Sequence, residues 1–164
     1  MRYTIAAAPA LLLAACGGGG DSVALQPGQW ETSVQFSSIE IPGAPEAAVA
    51  QMKQAMSRPQ TRSECITPEQ AANPTGNMVN AGGGNCQFSE STFEGGTIRM
   101  RGTCQQPGAG TATMSMDGSY TATTMEAQIT SEVQAPEGAP AGGPQSVRMS
   151  GTFTSRRTGD CPAG

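Results

Sequence analysis

The chain has 164 residues, nine basic side chains against thirteen acidic ones, no histidine, and 22 glycines against seven aromatic residues. With no basic block there is no electrostatic footprint for nucleic acid, and with no histidine the commonest general base and metal ligand is missing, together with every histidine-based triad. A single domain with so few aromatics has a thin core, and its stability leans on cross-links that restrict the unfolded chain, at ~2 to 4 kcal/mol each.

Arg2 supplies a positive n-region and Ile5 to Leu13 an apolar h-region, after which Leu13-Ala14-Ala15-Cys16 forms a lipobox. Residues 1–15 therefore read as a lipoprotein signal peptide, with Cys16 lipidated and first in the mature chain. The apolar run falls short of the ~20 residues that span a bilayer, and Pro9 interrupts it. An ordinary secretory signal cut near Ala8-Pro9-Ala10 would leave five cysteines, an odd number for an exported protein; lipid on Cys16 leaves four. With Arg2 removed, eight cations face thirteen carboxylates, a net charge of −5. The expected address is the cell envelope, lipid-anchored and facing the periplasm. Gly17, in place of the aspartate associated with inner-membrane retention, favours the outer membrane.

Residues 16–26, with Gly17 to Gly20, read as a flexible tether, and residues 27–164 as a single β-rich domain. Pro27-Gly28 is a turn signal. From Trp30 to Ser37, Trp30, Thr32, Val34 and Phe36 share one face, and this period of two predicts a half-buried strand. Val49, Met52 and Met56 then fall at helical spacing, predicting an amphipathic helix over about 45–57 that ends before Arg58-Pro59. Thr67-Pro68-Glu69-Gln70 carries the pattern of a capping box on a short helical turn. Residues 71–85 read as loop.

Between Cys86 and Cys104 the alternation predicts a hairpin. A turn on Glu94-Gly95-Gly96 places Phe88 opposite Gly102, Glu90 opposite Met100, Thr92 opposite Ile98, and Cys86 opposite Cys104. In that register Glu90 falls on the apolar face, at a rim open to water, and Phe93 on the polar one. A two-residue turn on Gly95-Gly96 instead puts Cys86 and Phe88 on the face opposite Ile98, Met100 and Cys104, and is disfavoured. Cys86 and Cys104 become a candidate disulfide, subject to the kind of strand position they occupy, and Cys65 and Cys161 are left to pair by elimination. A further hairpin is predicted on Asp117-Gly118-Ser119, pairing Met116 with Tyr120 and Met114 with Ala122, with a bulge near Thr123-Thr124 where the apolar phase shifts. Residues 135–144 read as a mobile surface loop, and Val147, Met149, Gly151 and Phe153 as a last strand.

The ordered set Pro27-Gly28-x-Trp30-Glu31, Cys65-Ile66-Thr67-Pro68-Glu69, a central cysteine pair, Gly118-x-Tyr120 and Arg156-x3-Asp160-Cys161-Pro162 resembles the bacterial domain-of-unknown-function 3617 family over roughly residues 25–162. The resemblance implies an exported protein, often a lipoprotein, with no assigned activity, cofactor or catalytic residue. It transfers only Cys65, Cys86, Cys104 and Cys161, as structural residues.

No nucleophile elbow, phosphate loop or dinucleotide fingerprint is present, and no C-x-x-C. Glu90 is the first carboxylate to suspect of chemistry, with the solvated reading preferred. Met114-x-Met116 is conceivable as a soft-sulfur copper site, against a reading in which flexible methionines fill a core short of aromatics. The expectation is therefore a mainly β protein: a curved antiparallel sheet or incomplete barrel of six to eight strands, with one amphipathic helix, stapled by disulfides. Functionally the sequence reads as a non-catalytic binding or interaction module, without cofactor or metal, whose partners are the membrane and an unknown envelope protein or lipid. The alternative is a carrier of an apolar ligand such as an acyl chain, with an enzyme third. A large cavity lined by Met100, Met114, Met125 and Phe153, with Glu90 at its mouth, favours the carrier, and a filled core the interaction module. Arg99 and Arg101, two apart on one strand, are the candidate surface contact for an anionic group.

Overall fold

The computed structural model describes residues 23–76, 85–106, 110–136, 138 and 144–162. The expected signal peptide, Cys16, most of the tether, Gly82-Gly83-Gly84 and most of the 135–144 loop lie outside the described residues. In chain order the elements are β1 (Gly28–Glu40), α1 (Glu46–Met56), β2 (Gln60–Ile66), α2 (Pro68–Ala72), β3 (Asn85–Glu94), β4 (Thr97–Gln106), β5 (Gly110–Tyr120), β6 (Thr124–Gln134) and β7 (Ser146–Gly159). The seven strands form one open antiparallel sheet in the order β2-β1-β7-β6-β5-β4-β3. The expected fold class is the one observed.

β1 follows its period of two, then shifts register between Phe36 and Ser38, which extends it to Glu40 and buries Ile39. α1 starts one residue later and ends one earlier than its periodicity predicts. It packs chiefly on β1, and none of its residues is buried. β2 leaves no trace in the alternation of the sequence. Its first six residues are exposed, because an edge strand with polar side chains carries no apolar period. α2 has the expected capping box: the Thr67 hydroxyl accepts from the Gln70 backbone N–H at 3.3 Å, and the Gln70 side chain accepts from the Thr67 N–H at 2.8 Å.

Two predicted turns are corrected. β3 and β4 turn on Gly95-Gly96 alone, both at positive φ, and Glu94 pairs with Thr97. Two consecutive positive-φ residues match the twist of the flanking strands, and glycine supplies them without strain. A bulge at Ser89 then absorbs one residue, so Phe88 still faces Gly102 and Cys86 still faces Cys104. The bulge also reverses the two misfits: Phe93 joins the core opposite Ile98, and Glu90 moves to the polar face opposite Arg101. Nor does Asp117-Gly118-Ser119 turn. β5 runs through it, Tyr120 pairs with Met125, Met116 with Ile129 and Met114 with Ser131. The turn is Thr121 to Thr124, where the Thr121 hydroxyl accepts from the backbone N–H groups of Thr123 and Thr124 at 3.2 and 3.0 Å. This turn, and not a bulge, is what shifts the apolar phase near Thr123-Thr124.

One face of the sheet is apolar from β1 across to β3. Val34, Phe153, Ala127, Gly118, Ile98 and Phe93 stand in register across six strands, and Phe36, Gly151, Ile129, Met116 and Met100 form the next row. Glycines in both rows let the backbones come close. A Cβ on Gly118 would lie 2.1 Å from the Glu126 carbonyl oxygen, and one on Gly151 2.3 Å from that of Gln35. The core gathers at one end of this face, where Trp30, Ile66, Ala71, Ile98, Tyr120 and Met125 pack together. Residues 23–26, expected as the end of the tether, belong to the domain. Leu25 is buried in the core, and the Gln26 N–H donates to the Ala122 carbonyl at 2.8 Å.

Candidate functional site

Filling stops partway along the apolar face. Beyond the core a groove of about 380 Å³ runs over Met100, Met114, Met116, Met149, Ile129 and Phe36, and Val34, Phe88 and Phe153 complete its walls. Met114 is 37% exposed. The core role expected of the methionines therefore holds for Met100 and Met125, which are buried, whereas Met114 is a wall of the groove. Of the four residues named for a carrier cavity, Met100, Met114 and Phe153 line the groove, and Met125 lines a smaller recess beside it. Glu90 is not at the mouth, since the Ser89 bulge turns it to the other face. The groove's volume lies in the range of small-molecule sites, ~300 to 1,000 Å³, and its lining is apolar with few polar groups, as such sites are. Thioethers alternate there with phenyl and aliphatic groups, a surface suited to hydrocarbon.

The recess, about 120 Å³, is more polar. Its floor carries Thr32 and Ser155, both buried, their hydroxyls 2.8 Å apart. Arg62, Glu64 and Gln70 stand around it. Arg62 and Phe153 line both spaces, so groove and recess adjoin through these two side chains. Arg62 is the one charged residue of the groove lining, and periodicity could not single it out in an all-polar strand.

Arg99 and Arg101 do project from the polar face of β4, but differently. Arg101 donates to the Asp117 carboxylate at 2.8 Å and to the Met100 carbonyl at 2.9 Å. The Asp117 hydrogen bond raises the Arg101 pKa above its ordinary value, with a smaller contribution from Glu90. Asp117 thus lies within β5 as the ion-pair partner of Arg101, where the sequence suggested a turn residue. Arg99 is exposed, opposite Thr92 and Asp117. Among the described residues no cluster of histidine, cysteine or carboxylate side chains could hold a metal, and no helix is long and apolar enough to cross a membrane.

Cys86 and Cys104 form a disulfide across the β3-β4 pair, with Cα atoms 3.9 Å apart. Cys65 joins Cys161 at a Cα separation of 5.6 Å, pinning the carboxyl end beside β2. Around that bond the motifs at the two ends of the chain meet. The Arg157 guanidinium donates to the Pro27 carbonyl at 2.8 Å and pairs with Asp160, and a Cβ on Gly28 would collide with the Arg157 side chain. Arg157, unremarkable in the sequence beside Arg156, is the cation that ties this corner.

No curated protein and no solved structure matches the chain. One family does, over residues 25–161, and its description is protein of unknown function, DUF3617. The span begins at buried Leu25 and ends at Cys161, so the whole folded sheet is included. The chain accordingly belongs to the DUF3617 family.

Proposed function

We propose that this protein is a lipid-anchored, non-catalytic binding protein of the cell envelope whose concave sheet face takes up the apolar chain of a small ligand. The observation that carries the reading is the open groove of about 380 Å³ over four methionines, one of which, Met114, stands more than a third exposed. An apolar groove left open forgoes the ~25 cal/mol per Å² that burial of the same surface would contribute, and a bound apolar chain recovers it. The lipobox and the even cysteine set left after Cys16 support the anchor and the periplasmic address. In this reading the anchor holds the groove near lipid and the disulfides hold the sheet.

The test uses the mature chain with Cys16→Ser, so that no attached lipid competes, and the neutral apolar dye N-phenyl-1-naphthylamine. Saturable dye fluorescence is expected. Ile129→Trp, in mid-groove, should weaken it about tenfold or more, since overfilling a tight apolar site costs ~1 to 3 kcal/mol. Ser131→Trp is the second blocking variant. Dye binding that is absent, or indifferent to both variants in folded protein, would overturn the reading.

A further inference from the structure

Resting on that reading of the groove, we propose that its ligand is an amphiphile whose single apolar chain lies on the methionines and whose anionic head, a carboxylate or phosphate monoester, is held at Arg62. Arg62 pairs with Thr32, and paired residues share a face, so this cation belongs to the side of the sheet that carries the groove. It is the one charge in an otherwise apolar lining, and it stands where the groove opens into the polar recess. A chain on Met114 and Met116 that extends past Phe153 therefore delivers its head to a guanidinium.

The recess holds further groups for that head. Thr32 and Ser155 share one hydrogen bond, which uses one of their two hydroxyl hydrogens and leaves the other to donate to an incoming oxygen. The Gln70 side chain contributes its amide, whose oxygen already accepts from the Thr67 N–H. Glu64 opposes an anion, yet it holds Arg62 only at 3.8 Å, with the two side chains 46% and 62% exposed. A solvent-exposed pair at that distance is worth little. A carboxylate or phosphate that offers the guanidinium two oxygens, with its chain already fixed, displaces Glu64 from Arg62.

The experiment measures displacement of the same dye from mature Cys16→Ser protein by dodecanoic acid, dodecyl phosphate, dodecanol and dodecyltrimethylammonium. The two anions are expected to bind about tenfold tighter than the alcohol, and their ratio to each other identifies the head. Arg62→Gln should bring the ratio of anion to alcohol affinity down to about one, and Glu64→Gln should raise that ratio. Equal binding of acid and alcohol, each blocked by Ile129→Trp, would overturn the anionic head and keep the groove. A preference for the ammonium, or weaker anion binding by Glu64→Gln, would overturn the head in the same way. If none of the four displaces the dye, or Ile129→Trp changes nothing, the groove itself is wrong. Both head variants lie on an exposed edge strand, and a melting curve beside each titration confirms that they are folded.

Discussion

Trp30 is the side chain around which the filled end of the sheet is built. It is fully buried, and its indole N–H donates to the Gln26 carbonyl at 3.0 Å, so one residue both fills the core and holds the amino-terminal segment against it. Trp30→Ala is expected to cost ~3 to 5 kcal/mol in urea denaturation. Trp30→Phe should lose less, since it gives up ~1 kcal/mol of hydrogen bond and part of the ring volume. A Trp30→Ala cost below that of Trp30→Phe would show that the core is centred elsewhere. Trp30 was legible because aromatic bulk at the head of an alternating run has one place to go. Arg62, Arg101 and Arg157 were not. Whether an arginine solvates, pairs with Asp117, ties a corner at Pro27 or lines a groove depends on strands that come from distant parts of the chain.

At the scale of the element, glycine decides which sequence signals can be trusted. Asp117-Gly118-Ser119 has turn composition, but Gly118 is there because β5 and β6 approach too closely for a side chain: the atoms a Cβ would meet at 2.1 to 2.6 Å belong to Glu126 and Ala127, two of the three being backbone. Gly118→Ala should therefore destabilise the protein by ~1 to 3 kcal/mol, because backbone cannot swing aside. Gly159→Ala, with nothing within 4 Å, should be close to neutral. Thermal melts of the two variants side by side check this, and equal melting temperatures would refute it. The same physics explains what the sequence disclosed. β1, β4 and β7 were legible because a half-buried strand must alternate. β2 was silent because an edge strand need not, and the Ser89 bulge was silent because a single unpaired residue leaves no compositional mark, although it moves Glu90 from one face to the other.

Across the whole molecule the two disulfides differ in how much of the unfolded chain they restrain. Cys86 and Cys104 are separated by 18 residues and Cys65 and Cys161 by 96. Chain entropy gives ~3 kcal/mol for a 15-residue loop and ~4.7 kcal/mol for a 100-residue loop. The Cys65→Ser/Cys161→Ser double variant should accordingly lose more stability in non-reducing denaturation than Cys86→Ser/Cys104→Ser, by ~1 to 2 kcal/mol; the reverse order would mean that strain or residual structure dominates. In sequence terms the pairing was accessible through parity and elimination. The groove was not, because its lining comes from β1, β2, β3, β4, β5, β6 and β7 and depends on how all seven strands pair.

The position of β1 between β2 and β7 also fixes a timetable. Strands β3 to β7 pair with their neighbours in sequence and can zip one hairpin at a time as the chain lengthens. β1 gains β2 early, but its other edge waits for residues 146–159, the last strand to appear. Non-local pairing of this kind delays folding, because the loop must close before any contact compensates for it. Phe153 and Met149, two walls of the groove, arrive with that same strand. A chain cut short before Ser146 would thus keep a row of open strands and lose two walls of the groove, so the molecule acquires its shape and its groove in one late event.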